Sequence, residues 1–253
     1  MWSDKHGGPV NLAEFMARRA SVAVPGGRET CPRCRKALPT CYCHILKPFR
    51  SPVPFVILQH PDESRNAIAT ARMAHLSMTN SRLIVDRSFR DSQAVNELIA
   101  DPTHRHVLLY PSRDAIPMDQ VFADAGTLVT PPPVFWVLDA KWSQVPKMLR
   151  LSPNLRALPM AKFNPDRPSS FQIRRQPNPE CLSTIEAIHL VIERYLSRSG
   201  QQSTEHHTLL DGFQYLVRQQ LGFVNVERDS RHRAAKALRA ARRRNKQRTP
   251  RAP

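Results

Sequence analysis

The sequence predicts an α/β protein with a largely parallel sheet, a small cysteine module ahead of it and a basic tail behind it. Three observations carry that expectation. Short apolar runs of strand length alternate with segments of helical spacing, the order expected of β–α–β crossovers. Four of the five cysteines fall between residues 31 and 43. From Arg228 to Pro253, eleven residues are Lys or Arg and one, Asp229, is acidic, so this stretch carries +10 of the net +17.

Residues 1–30 are polar and mixed, with a short helix expected near Leu12–Arg19 and Pro25-Gly26-Gly27 as a breaker. The cysteine module occupies 31–50, the main body 51–225 and the tail 226–253. Pro48, Pro52 and Pro54 stiffen the entry to the body, where Val53–Gln59 reads as a buried strand. A helix is expected over Glu63–Met78, a strand at Leu83-Ile84-Val85 and a helix over Ser92–Ala100, with Val95, Leu98 and Ile99 on one face. His106–Tyr110 and Val134–Leu138 read as strands and Trp142–Leu151 as a helix. Phe171-Gln172-Ile173 is a further strand. Ser183-Thr184-Ile185-Glu186 is a capping box opening a helix to Ser199. The last helix runs about Thr204 to Leu221, with Gly222 as its stop.

The 41% apolar content supports a folded body, and no apolar run is long enough to span a membrane. Met1-Trp2-Ser3-Asp4 lacks a secretory pattern, so a cytoplasmic, reducing location is expected. Cysteines there serve as metal ligands more often than as disulfides. Cys31-Pro-Arg-Cys34, six residues, then Cys41-Tyr-Cys43 can surround one tetrahedral ion, zinc by preference. The net charge suits a polyanion, nucleic acid first; a solvated tail without a specific partner is the alternative. Neither G-x-G-x-x-G nor a Walker sequence occurs, which leaves a classical dinucleotide or nucleoside-triphosphate site unsupported.

Ligands of open parallel sheets bind beyond the carboxyl ends of the strands. His60–Glu63, Leu109–Pro111 and Asp139–Trp142 fall there. Asp139 could act as a general base, hold a cationic group or cap the next helix. Trp142 could stack on a base or anchor a helix in the core, where single tryptophans usually lie. His60 and Glu63 could orient a substrate or cap a helix. Arg174 and Arg175 could grip a carboxylate or phosphate, or make surface ion pairs. Cys181, apart from the cluster, reads as a buried structural thiol.

The cysteine cluster, His60-Pro61-Asp62-Glu63, Leu109-Tyr110-Pro111, Asp139-Ala140-Lys141-Trp142 and Arg174-Arg175-Gln176-Pro177, followed by Leu182-Ser183-Thr184-Ile185-Glu186-Ala187, together resemble the DTW-domain family over about residues 31–200. Lys141 stands where the family signature has Thr, and Ala140 where Gly is frequent. The resemblance implies a SPOUT-like, knotted fold and a tRNA-uridine aminocarboxypropyltransferase. Such an enzyme transfers the 3-amino-3-carboxypropyl group of S-adenosylmethionine to N3 of a uridine. It implies Asp139 as the base. Cofactor contacts would come from Leu109, Tyr110, Pro111, Leu138, Trp142, Arg174, Leu182, Ser183, Thr184 and Glu186. His60, Glu63, Lys141 and Arg175 would face the acceptor. Zinc at Cys31, Cys34, Cys41 and Cys43 would be structural, four thiolates leaving no open position. Arg33, Arg35 and Lys36 beside it, and Arg231, Arg242, Arg243 and Arg244 in the tail, would meet tRNA phosphates. No membrane and no obligate protein partner is expected. A SPOUT-type RNA methyltransferase, or a non-catalytic zinc-containing RNA-binding protein, are the competing readings.

Overall fold

Among the described residues, six strands assemble in the order β2-β1-β5-β3-β6-β4, and every neighbouring pair is parallel. They are β1 (Phe55–Gln59), β2 (Ser81–Val85), β3 (His106–Leu109), β4 (Ile116–Pro117), β5 (Val134–Asp139) and β6 (Met160–Lys162). The structure is a computed structural model and describes residues 29–66, 69–123, 131–162 and 182–223, with side chains to 219. The chain divides into two units, residues 1–41 and 42–253. The predicted Leu12–Arg19 helix, the Phe171–Ile173 strand, Cys181 and the basic tail lie outside the described residues.

β1 and β5 are central, and their side chains are buried on both faces: all five positions of β1, and all of β5 except the half-buried Leu138. Such strands read as continuous apolar runs rather than alternating ones. The period of two still sorts their side chains. Val56 and Leu58 of β1, Leu108 of β3, and Val134 and Trp136 of β5 share one face and its core, with Phe89, Val95 and Met148. The Trp136 indole N–H donates to His106 Nδ1 at 3.2 Å, so the largest buried side chain has its polar atom satisfied. Phe55 and Phe135, paired in register, face the other way. There Phe122 lies 5.6 Å from the Phe135 ring and 5.5 Å from Tyr195.

The helices are α1 (Pro61–Ser64), α2 (Ala71–Ser77), α3 (Gln93–Ile99), α4 (Met118–Val121), α5 (Val145–Leu151), α6 (Pro153–Arg156), α7 (Thr184–Ser199) and α8 (Thr208–Phe223). Three differ from the sequence expectation. The helix over Glu63–Met78 is broken in two, because Asn66 turns its amide onto the Glu63 carboxylate at 3.1 Å and its backbone N–H onto Glu63 O. The helix expected from Trp142 starts at Val145, where a proline at the second helical position fixes φ for entry. Gly222 does not stop α8, which continues to Phe223. The glycine that does end a helix is Gly200, at φ +69° beyond α7, in the left-handed region where a Cβ is penalised. β4 and β6 were not foreseen. They are two and three residues long, and Pro117 is tolerated because β4 is the sheet edge.

The described part of the first unit, residues 29–41, is a tight knuckle. Thr30 bridges to Ala37, Cys31 N–H donates to Lys36 O at 2.7 Å, and Arg35 N–H donates to Cys31 O at 2.8 Å. Arg35 closes the turn at φ +59°, a conformation that costs a non-glycine residue roughly 1–2 kcal/mol.

Candidate active site

The register of the two central strands builds the site. Gln59 and Asp139 are directly paired at the carboxyl ends of β1 and β5. Their side chains therefore emerge on the same face, and Gln59 Nε2 donates to Asp139 Oδ2 at 2.8 Å. The other carboxylate oxygen, Oδ1, accepts from Thr184 Oγ1 at 2.6 Å. Thr184 is the first residue of α7, so this bond draws the Leu182–Thr184 segment to the strand end. Asp139 is only 6% exposed. Hydrogen bonds to a charged group contribute about 1.5–3 kcal/mol each. Asp139 is thus held in a fixed orientation, and it does not cap α5, whose N-cap is Gln144.

Gln59 is the participant that the sequence reading missed. The available signal was a polar side chain ending an otherwise apolar strand, directly before His60. It is fully buried, and its Oε1 has no hydrogen-bond partner. An unsatisfied buried acceptor beside Asp139 suits a ligand donor such as an amine or imide N–H.

His60 follows on the same edge. Its backbone N–H donates to Asp139 O at 2.9 Å, and its Nδ1 accepts from Asp62 N at 3.2 Å, so His60 caps α1. Glu63 is buried at 1% exposure and accepts from Asn66. Ser183 and Glu186 form the expected capping box, with Ser183 N and Oγ both donating to Glu186 Oε2 at 2.9 and 2.6 Å. Leu109, Tyr110, Leu138 and Leu182 are half-buried, while Pro111 and Lys141 are exposed. Trp142 is 42% exposed, so the expectation that a lone tryptophan anchors the core is corrected; Trp136 does that. Arg174, Arg175, Arg231, Arg242, Arg243 and Arg244 lie outside the described residues.

Beside the strand ends a groove of about 330 Å³ is lined by His60, Asp62, Arg87, Gln144 and Lys147 over Met148 and Leu151. Gln144 Nε2 donates to Asp62 Oδ2 at 2.9 Å, and Arg87 stands 3.8 Å from Asp62. The groove thus offers an apolar floor and two cationic side chains at its rim, which suits a ligand with an anionic end.

The four cysteines are gathered as expected. Their sulfurs all lie within 4.8 Å of one another, and Cys31 and Cys34 are each 1% exposed. The Cys34 and Cys41 sulfurs are 3.7 Å apart. The edge of a tetrahedron with metal–sulfur bonds of about 2.3 Å is about 3.8 Å, whereas a disulfide needs about 2 Å. The cluster can hold a metal ion. Arg35 beside it is exposed, and Arg33 and Lys36 are half-buried.

The family model of the DTW domain matches residues 28–221. The chain belongs to the DTW-domain family. The match takes in the cysteine cluster, both central strands and nearly all of α8. Among curated relatives, tRNA-uridine aminocarboxypropyltransferase 2 of Drosophila melanogaster is 31% identical over 66% of this chain and 66% of its own length. The proteins of the same name from Macaca fascicularis and Mus musculus are 24% and 25% identical, over 72% and 63% of this chain. The matches span 65% and 54% of those relatives' own lengths. No solved structure matches. Within this DTW domain the D-x-x-W element places a buried, anchored carboxylate three residues before an exposed indole. Trp142→Ala is expected to leave the melting temperature within about 2 °C, as for a surface site, while weakening substrate binding; calorimetry and thermal melting check both.

Proposed function

We propose that this protein transfers the 3-amino-3-carboxypropyl group of S-adenosylmethionine to N3 of a uridine in tRNA, on a SPOUT-like, knotted framework. The observation that carries the reading is Asp139: a carboxylate at the end of a central strand, fixed by Gln59 and Thr184, inside a DTW domain whose curated relatives are named tRNA-uridine aminocarboxypropyltransferases. Both the donor and the N3 position rest on this reading.

The chemistry uses the residues as follows. Uridine N3–H is a weak acid, and Asp139 accepts its proton through a lone pair left by Gln59 or Thr184. The freed nitrogen pair forms a bond to the Cγ of the methionine chain. The Cγ–S bond breaks, and its electron pair returns to sulfur, leaving a neutral thioether and a proton on Asp139. The sulfonium supplies a leaving centre that needs no further activation. The protein's work is orientation: methyl presented to the acceptor gives methylation, Cγ gives this transfer. The unsatisfied Gln59 Oε1 suits the donor's ammonium group or the uridine N3–H, and exposed Trp142 offers a stacking surface. Leu109, Tyr110, Pro111, Leu138, Leu182 and Ser183 would border the donor, and His60, Glu63 and Lys141 the uridine; Arg174 and Arg175, outside the described residues, are assigned from sequence alone to the donor carboxylate and the acceptor. Zinc held by Cys31, Cys34, Cys41 and Cys43 would supply folding stability to the knuckle. Mass spectrometry of nucleosides from tRNA incubated with protein and S-adenosylmethionine tests the reading. Aminocarboxypropyl-uridine supports it, and methylated uridine, or no product with donor bound, defeats it.

The basic tail is proposed as a phosphate contact that adds affinity without sequence information. Truncation after Val226 removes +9 of charge. It is expected to weaken tRNA binding and flatten its salt dependence, with donor binding unchanged. Equal affinity of the two forms at low and moderate salt would show that the tail takes no part.

A further inference from the structure

A second cluster of metal-ligating side chains lies away from the cysteines and from Asp139. His189 and Glu193 sit at i and i+4 on α7, so they share one helix face. His206 and His207 are consecutive in a single 3-10 turn, Glu205–His207, that leads into α8. Their four ligand atoms all lie within 4.8 Å of one another. His189 Nε2 is 3.3 Å from Glu193 Oε1, and His207 Nε2 is 3.9 Å from the same oxygen. A tetrahedral site with bonds of about 2.0–2.2 Å has donor–donor edges of about 3.3–3.6 Å. The two measured edges, 3.3 and 3.9 Å, approach that geometry.

His206 supplies the independent observation. It is 3% exposed, yet neither ring nitrogen has a hydrogen-bond partner. Buried polar side chains without partners are rare, and a bound ion is one thing that satisfies them. Ring packing alone does not satisfy it: His189 stacks on it at 4.8 Å and His207 meets it edge-on at 4.5 Å, and neither contact pairs a nitrogen. The way in is open. Glu193 and His207 are 41% and 54% exposed at the side chain and border a groove of about 530 Å³ with Ser203, Thr204 and His206.

We infer that His189, Glu193, His206 and His207 form a second metal site, for a divalent first-row transition ion such as zinc. Three imidazoles and one carboxylate are borderline donors that suit zinc, cobalt or nickel, and disfavour calcium and magnesium. The ion ties α7 to the turn that opens α8. Because α7 begins at Thr184, which holds Asp139, the site braces the helix that orients the proposed base.

The test uses full-length, untagged protein equilibrated with low-micromolar zinc and freed of excess. Wild type is expected to retain two zinc ions per chain, and His189→Ala/His206→Ala one. Replacement by cobalt separates the two sites: one equivalent gives intense thiolate charge-transfer bands, and the second gives only weak ligand-field bands that the double variant lacks. Glu193→Gln, a half-exposed substitution that leaves the buried rings in place, is expected to weaken the second equivalent at least tenfold with the thiolate bands unchanged. One metal per wild-type chain, a second equivalent that is also thiolate-bound, or unchanged second-site affinity in Glu193→Gln overturns the inference.

Discussion

Asp139→Asn is expected to fold, to bind S-adenosylmethionine and to transfer the aminocarboxypropyl group about 10²–10⁴-fold more slowly, the usual loss when a general base is removed. Folding is expected to survive for a reason visible in the site. Asparagine keeps one oxygen to accept from Thr184 Oγ1, now 2.6 Å away. Its new amide would oppose Gln59 Nε2, now 2.8 Å from Oδ2, but Gln59 can turn its own amide over. Its Oε1, which has no partner, then accepts from the asparagine, and the pairing is restored in reverse. Asp139→Ala has no such escape. It would leave Gln59 and Thr184 both unpaired, at about 1–3 kcal/mol for each buried donor. Thermal melting, calorimetry with the donor and nucleoside mass spectrometry give the three readouts. A near wild-type rate in Asp139→Asn would make Asp139 an anchor for Thr184 and move the search for a base to the buried Glu63.

The parallel α/β body was legible because its signals are local. Val134–Leu138 is apolar throughout, as only a strand covered on both faces can be, and Ser183–Glu186 spells its own cap. Where the reading slipped, a tertiary or side-chain effect decided. Met160–Lys162 carries no β-branched residue, and it is a strand only because β3 and β4 lie on either side of it. The break after α1 comes from one Asn66 side chain, and the entry to α5 from one proline. The candidate site divides the same way. Cys31, Cys34, Cys41 and Cys43 are close in sequence, so their gathering could be foreseen from spacing. Gln59 stands eighty residues from Asp139, and only the β1–β5 register brings the two together. The His189–His207 cluster escaped for a related reason. An i,i+4 His–Glu pair is common on exposed helices, and it gains meaning only when the turn at Glu205–His207 folds back against it.

Cys34→Ser is expected to lose the bound zinc and unfold the knuckle around it. Little else holds this segment. Among the described residues of the first unit, 29–41, the buried side chains are Cys31 and Cys34 themselves. The 3-10 turn Leu38–Thr40 buries none. Backbone hydrogen bonds such as Cys31 N–H to Lys36 O close the turn, and Arg35 at φ +59° works against it. A loop of this kind has no apolar core to offset its conformational entropy. Metal binding supplies that free energy instead, at about 10–16 kcal/mol in zinc-finger peptides near neutral pH. A serine hydroxyl is a far weaker ligand than a thiolate, so most of the contribution disappears with one atom. Hydrogen exchange reads the result residue by residue. The amides of Cys31 and Arg35 should lose protection in the variant, while those of β1 and β5, buried in a sheet with its own core, should keep theirs. If zinc analysis finds no metal in the variant and the Cys31 and Arg35 amides stay protected, the knuckle is held by its backbone bonds, and the cluster's metal is not what folds it.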